Sequence, residues 1–134
     1  MDNIVVIGAS GHAKVVIDIV RQEGKFNVVG LLDRELDVGE QVLGCPVLGR
    51  DENLPTLIKS YGLKGAIIAI GDNYIRSKVA ESIQDISPDL PFVSTVHPDA
   101  SLALETTLGE GAVVMAGATI NPGCSIGRFC ILSN

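Results

Sequence analysis

Two hydrophobic rhythms divide the chain. In the last third an aliphatic residue returns at every sixth position: Val96, Leu102, Leu108, Val114, Ile120, Ile126 and Leu132. A second column of small residues lies four places on, at Ala100, Thr106, Ala112, Ala118, Cys124 and Cys130. Helices repeat at 3.6 and half-buried strands at 2, so a period of six belongs to neither. A hexapeptide repeat is the mark of a parallel β-helix, in which each unit makes one short strand and one bend. The aliphatic column is expected to point inward with the small column packed beside it, and Gly111, Gly117 and Gly123 suit bends with unusual backbone angles. The run stops at Asn134 inside a repeat, with no visible cap. Stacked arrays need capped ends, so the sequence is expected to be a piece of a longer chain whose helix continues. An open end is expected to favour aggregation.

Before the repeat, apolar runs alternate with helical spacing. Asn3–Ile7 reads as a buried strand and Gly8–His12 as a glycine-rich turn. Ala13–Glu23 reads as a helix with Val16, Ile17 and Val20 on its apolar face and Gly24 as its stop. Val28–Leu32 is a second strand, ending at Asp33 and Arg34. Gln41–Leu48 reads as a hairpin-like edge piece, because Pro46 cannot donate to a central ladder. A helix over Asp51–Tyr61, a buried strand over Gly65–Ile70, a polar turn at Gly71–Asn73 and a helix over Tyr74–Asp85 follow. Pro88 and Pro91 then break the pattern before a last strand, Phe92–Thr95. Alternating strand and helix predicts a parallel sheet covered by helices. The expected organisation is therefore an α/β domain with a parallel sheet over residues 1–95, then the first coils of a β-helix over 96–134.

Charge and composition narrow the function. The chain carries a net charge of −6 and no basic cluster, which disfavours nucleic acid and anionic membranes as partners. Its apolar runs are too short to span a bilayer, and the chain opens on a strand rather than a signal peptide, so a cytoplasmic location is expected. Three cysteines without zinc spacing, two of them in the small column, read as reduced packing residues, and no metal site is expected.

Ligands of open parallel sheets bind beyond the carboxyl ends of the strands. Three such ends carry suitable residues. At Gly8–His12, backbone amides and the start of a helix suit an anion such as phosphate, although a plain strand-to-helix turn fits the same residues. The spacing is G-x-x-G-H, unlike the G-x-G-x-x-G of dinucleotide sites. Asp33 stands where an acid often takes ribose hydroxyls, or is simply solvated, and Arg34 beside it faces a phosphate, a base or water. Gly71, Asp72, Asn73 and Arg76 offer a third polar turn, with Asp72 equally explained as a helix cap. Three such clusters at one sheet edge predict a nucleotide or nucleotide-sugar site. His97 is expected to be structural, and Asp18 and Glu23 to be solvated on a helix face.

Ile7-Gly8-Ala9-Ser10-Gly11-His12-Ala13-Lys14-Val15-Val16, then Leu32-Asp33, then Ala69-Ile70-Gly71-Asp72-Asn73 with Arg76, then the hexapeptide run, together resemble the NeuD-type sugar O- and N-acyltransferases. The resemblance spans the whole chain. It implies a Rossmann-like domain holding a UDP-amino sugar or related activated sugar, and a left-handed β-helix that forms a homotrimer and takes acetyl-CoA between subunits. Ser10, Gly11 and His12 would meet phosphates or uridine, Asp33 and Arg34 uridine or ribose, and Gly71, Asp72, Asn73 and Arg76 would complete the site. Where the family commonly has a second acid or a variable residue after the first Asp, this chain has Arg34, which unsettles that contact. The family's general base is a histidine in a later coil, beyond Asn134 here, so the chain is expected to be inactive in acyl transfer by itself. Two alternatives are a non-catalytic nucleotide-binding or assembly module and, disfavoured by the missing third glycine and the repeat, a fragment of a Rossmann oxidoreductase.

Overall fold

The computed structural model describes residues 1–133. Its first part runs β1 (Asp2–Ile7), α1 (Gly11–Glu23), β2 (Phe26–Leu32), β3 (Gln41–Val42), β4 (Cys45–Gly49), a 3-10 turn (Asp51–Asn53), α2 (Leu54–Tyr61), β5 (Leu63–Ile68) and α3 (Asn73–Ile86). The sheet order is β3-β4-β2-β1-β5, so β1 is an inner strand, with β2 and β5 parallel to it on either side. Strand side chains alternate between faces. Ile4 and Val6 pack with Val16, Ile17, Val20 and Leu31 on the α1 side, whereas Val5 and Ile7 pack with Leu32, Leu54, Val79 and Ile83 under α2 and α3. A strand covered on both faces has no place for a polar residue, hence the unbroken apolar run.

Element boundaries differ from the sequence reading: β2 begins at Phe26 rather than Val28, and β5 spans Leu63–Ile68 rather than Gly65–Ile70. Helix α1 starts at Gly11 rather than Ala13, because Ser10 is extended (φ −78°, ψ −171°) and its carbonyl already accepts from Ala13 N–H at 2.8 Å. The hairpin-like edge piece expected over Gln41–Leu48 is present: β3 pairs with β4 in antiparallel sense at the edge, making the sheet mixed. Pro46 is tolerated there because the ladder to β2 begins only at Val47 and Gly49, while Pro46 faces Gln41 of the short β3. The strand expected over Phe92–Thr95 is reduced to one bridge between Phe92 and Ala66. Pro91 has no N–H to extend that ladder, and Thr95 already belongs to the next element.

The hexapeptides form seven two-residue strands: β6 (Thr95–Val96), β7 (Ser101–Leu102), β8 (Thr107–Leu108), β9 (Val113–Val114), β10 (Thr119–Ile120), β11 (Ser125–Ile126) and β12 (Ile131–Leu132). Thr95 lies beside Val113 and Val113 beside Ile131, all in parallel, while β7 pairs with β10 and β8 with β11. Three strands thus complete one circuit of a three-sided parallel coil. Val114, Ile120, Ile126, Ala112 and Ala118 fill its interior. The inward columns are incomplete at the first circuit and along one corner. Leu102 is 37% exposed, and Cys124 is exposed rather than buried. Cys124 lies just before β11, whose one partner among the described residues is β8, and Thr106, its counterpart in the circuit below, is itself only half-buried. Of the cysteines, Cys45 is the one sealed in the core; burial raises its thiol pKa against the pull of Arg21.

The bends repeat their backbone as well as their sequence. Glu105, Gly111, Gly117, Gly123 and Phe129, six residues apart, all have φ between 57° and 79°. Glycine adopts this region freely, whereas an L-residue there costs about 1–2 kcal/mol. Glu105 is exposed, so Glu105→Gly is expected to raise stability by about 0.5–1 kcal/mol. Urea unfolding showing a loss of stability would contradict this.

Side chains to which the sequence assigned no joining role tie the coil to the sheet. Glu23, taken above for a solvated acid, accepts from Thr95 Oγ1 at 2.8 Å and Val96 N–H at 3.2 Å, tying the end of α1 to β6. Phe129 packs edge-on against Phe92 with ring centroids 4.9 Å apart. His97 is structural as expected: it is buried, and its Nδ1 accepts from Asp99 N–H at 3.0 Å.

Candidate functional site

From β1 the chain crosses through α1 to β2 on one side, and after β4 it returns through α2 to β5 on the other; a cleft opens beyond the carboxyl ends of the strands at this switch point. Its volume is about 320 Å³, and Ser10, Asp33, Arg34, Asp51, Ile70 and Ile75 are among its lining residues. Gly8 makes the first turn possible. Its φ is 103°, and a Cβ there would sit 3.1 Å from Ala69 O and from Ile70 Cγ1.

At the start of α1 the Ser10 hydroxyl caps nothing, and the first helical turn holds no acidic side chain. The opening N–H groups of a helix lack intrahelical acceptors and carry partial positive charge, so this corner suits an anion. Gly11 has no atom within 4 Å of where a Cβ would stand, so space over this turn is open. His12 is half-buried, and burial, helped by the Arg76 cation, lowers its pKa, favouring the neutral imidazole. Its Nε2 is buried without a hydrogen-bond partner, and its side chain does not line the cleft.

Asp33 organises the middle of the cleft. Its Oδ1 accepts from Ala9 N–H at 3.0 Å, and its Oδ2 from Glu35 and Leu36 N–H at 3.0 and 2.8 Å. Burial opposes ionisation here, but backbone N–H donors from Leu36, Glu35, Ala9 and Arg34 outweigh it and hold the carboxyl below its ordinary pKa. Oδ2 is fully engaged, whereas Oδ1 retains a lone pair. Asp51, brought in by the pairing of β4 with β2, stands 3.8 Å from Arg34. Burial raises the Asp51 pKa despite that cation, and Glu52 and Asp33 add to the rise.

The third expected cluster is mostly structural. Asp72 caps α3 by accepting from Ile75 N–H at 2.9 Å. Arg76 is 7% exposed, and its guanidinium donates to Phe129 O at 2.8 Å, to Ile70 O and Gly71 O at 3.0 Å, and to Asn73 Oδ1. It clamps the coil to the sheet edge, and Gly71, Asp72, Asn73 and Arg76 do not line the cleft. Helical spacing places Arg76 one turn into α3 but says nothing of Phe129, which lies 53 residues away. The residues that sequence reasoning missed are Asp51, Glu35 and the apolar wall of Ile70 and Ile75. For Asp51 the sequence offered only a helix start as a signal. Among the described residues no group of His, Cys, Asp and Glu has metal-binding geometry, and no helix is long and apolar enough to cross a membrane.

Fold and cleft define a Rossmann-like domain, open at its strand ends, continuous with a parallel coil. Residues 3–83 match the family described as PglD N-terminal domain. The chain is 29% identical over 119 residues to UDP-N-acetylbacillosamine N-acetyltransferase of Bacillus subtilis (strain 168), covering 87% of this chain and 52% of that protein. It is 29% identical over 133 residues to GDP-perosamine N-acetyltransferase of Escherichia coli O157:H7, covering 92% and 56%. Among solved structures, a variant of perosamine N-acetyltransferase from Caulobacter crescentus in complex with CoA and GDP-perosamine superposes with a TM-score of 0.89 at 38% identity, over 100% of this chain and 61% of that one. The acetyltransferase domain of PglB from Neisseria gonorrhoeae, in complex with acetyl coenzyme A, gives 0.84 at 30% identity, over 98% and 62%. The chain belongs to the NeuD/PglD-type sugar acetyltransferase family. It spans about half the length of the curated relatives it matches.

Proposed function

We propose that this chain is the nucleotide-sugar-binding part of an acetyl-CoA-dependent sugar acetyltransferase. The observation that carries the reading is the cleft at the switch point, where an uncapped helix N-terminus and the Asp33 carboxylate meet an apolar wall. Relatives named for UDP- and GDP-linked amino sugars support it. In this reading the free N–H groups at Gly11 and His12, with the Ser10 hydroxyl, take the diphosphate. The spare lone pair of Asp33 Oδ1 accepts from a ribose hydroxyl. Arg34 lies beyond, where the base falls. Of His12 only the main-chain N–H takes part, because its side chain does not line the cleft. Residues 1–95 form the sugar-nucleotide domain and 96–134 the start of a left-handed β-helix, which assembles as a homotrimer in the full-length protein.

Acetyl-CoA supplies the activated acetyl group. The sugar amine or hydroxyl attacks the thioester carbonyl while a base removes its proton, and the CoA thiolate leaves. The resemblance puts that base and most of the CoA site beyond Asn134, so this chain's own part is to bind and orient the sugar nucleotide.

Gly11→Ala tests the reading, because the added methyl meets no protein atom. It is expected to leave the melting temperature within about 4 °C, since alanine for glycine in a helix shifts stability by no more than about 1 kcal/mol. Affinity for a nucleoside diphosphate should fall about tenfold or more, as a methyl enters the phosphate's place. Isothermal titration finding no diphosphate binding to the wild type, or equal binding to both proteins, would reject the assignment.

A further inference from the structure

The strand ends that line the cleft follow one another across the sheet: Ser10 after β1, Asp33 after β2 and Asp51 after β4. A nucleotide is joined in the order phosphate, ribose, base. With the phosphates at the start of α1 and the ribose at Asp33, the base lies between the 3-10 turn bearing Asp51 and the Ile75 and Val79 side chains of α3. Aliphatic groups there pack against a ring face and leave its polar edge to the residues opposite.

Three carboxylates border this place, and one is suited to read that edge. Asp33 is taken up by backbone N–H donors, and Glu35 is exposed to water. The Asp51 side chain is only 13% exposed, and its one ionic partner among the described residues is Arg34, at 3.8 Å. Arg34 is itself 72% exposed, so most of its N–H donors are free. Side by side, the two residues present donors from a guanidinium and two acceptor oxygens from a carboxylate.

We propose that Arg34 and Asp51 select guanine, which makes the substrate class a guanosine diphosphate sugar; this rests on the nucleotide-sugar reading given above. Guanine carries an acceptor, O6, beside two adjacent donors, N1–H and N2–H. Arg34 donates to O6, and the two Asp51 oxygens accept from N1–H and N2–H. Uracil offers O4 and N3–H but then O2, which sets an acceptor against a carboxylate oxygen. Adenine and cytosine lack two adjacent donors on that edge. Discrimination therefore comes from repulsion of the wrong base as well as attraction of the right one.

Titration of the chain with GDP, IDP and UDP tests the assignment. A bidentate base contact is worth about tenfold or more in affinity. GDP is expected to bind at least about tenfold more tightly than UDP. IDP keeps O6 and N1–H but lacks the 2-amino group, and is expected to bind several-fold more weakly than GDP. Asp51→Asn, checked for folding by its melting temperature, is expected to erase the preference for GDP: GDP binds more weakly, and UDP more tightly because the carboxylate that repels uracil O2 is gone. UDP binding as tightly as GDP, or IDP equalling GDP, overturns the selection of guanine and leaves the nucleotide-sugar reading standing. Binding of none of the three overturns both. The comparison of ligands on the wild-type chain decides the matter even if the variant does not fold.

Discussion

Arg76→Ala is expected to destabilise the chain by about 3–4 kcal/mol, because it leaves buried carbonyls unpaired. The guanidinium is 7% exposed and holds four acceptors at once, three of them main-chain carbonyls. One carbonyl belongs to Phe129 in the coil and two to the segment after β5, so its loss strikes the seam between the two parts. Arg76→Lys is expected to recover little, since an ammonium is a single point and cannot reach four acceptors spread around a planar fork. Urea unfolding measures the loss. Hydrogen exchange should show faster opening of β9 and β12 than of β1, whose ladder is protected from both sides. A loss below about 1 kcal/mol for both variants would mean that the clamp is not what joins coil to sheet.

Asp33→Asn is expected to cost about 2–3 kcal/mol at pH 7. The amide keeps one acceptor but turns an NH₂ toward backbone N–H donors that the carboxylate oxygens satisfy, two of them on Oδ2 and one on Oδ1. The pH dependence separates charge from shape. Asp33 has a folded pKa below its ordinary value. Its contribution is therefore complete above the unfolded carboxyl pKa, about 4, and is lost as the pH falls through the lower folded value. The stability gap between wild type and Asp33→Asn should be full at neutral pH and shrink in acid. A gap unchanged from pH 7 to pH 2 would show that the carboxylate's charge contributes nothing. Because the same side chain ties Ala9 to Leu36, nucleotide affinity is expected to fall along with stability.

Much of the architecture was legible because it repeats. The period of six at Val96 through Leu132 prescribes one strand per unit, and the backbone answers with left-handed φ at Gly111, Gly117 and Gly123. Glu105 and Phe129 adopt the same conformation without being glycine, which composition gives no reason to expect. In the first part, unbroken apolar runs identified β1 and β5 as doubly covered strands, and Gly24 and Gly62 stopped their helices in the left-handed conformation. The site was legible where it is local: Gly8, Ser10 and Asp33 stand directly after their strands and line the cleft.

It was not legible where roles depend on distant partners. A polar turn followed by Arg76 reads as a ligand-binding cluster until Phe129 O is found 2.8 Å from Arg Nε, whereupon the cation is structural. Glu23 reads as a solvated acid until Thr95 and Val96 are placed against it. Asp51 enters the cleft through the pairing of Leu32 with Gly49, a register that no local spacing encodes. The sequence by itself determined the repeat, the alternation of strand and helix, and the glycine turn after β1, since each follows from neighbours along the chain. The tertiary structure alone decided which charged side chains face the cleft and which are spent on the seam, because a donor's role is set by the acceptors that folding brings within about 3 Å.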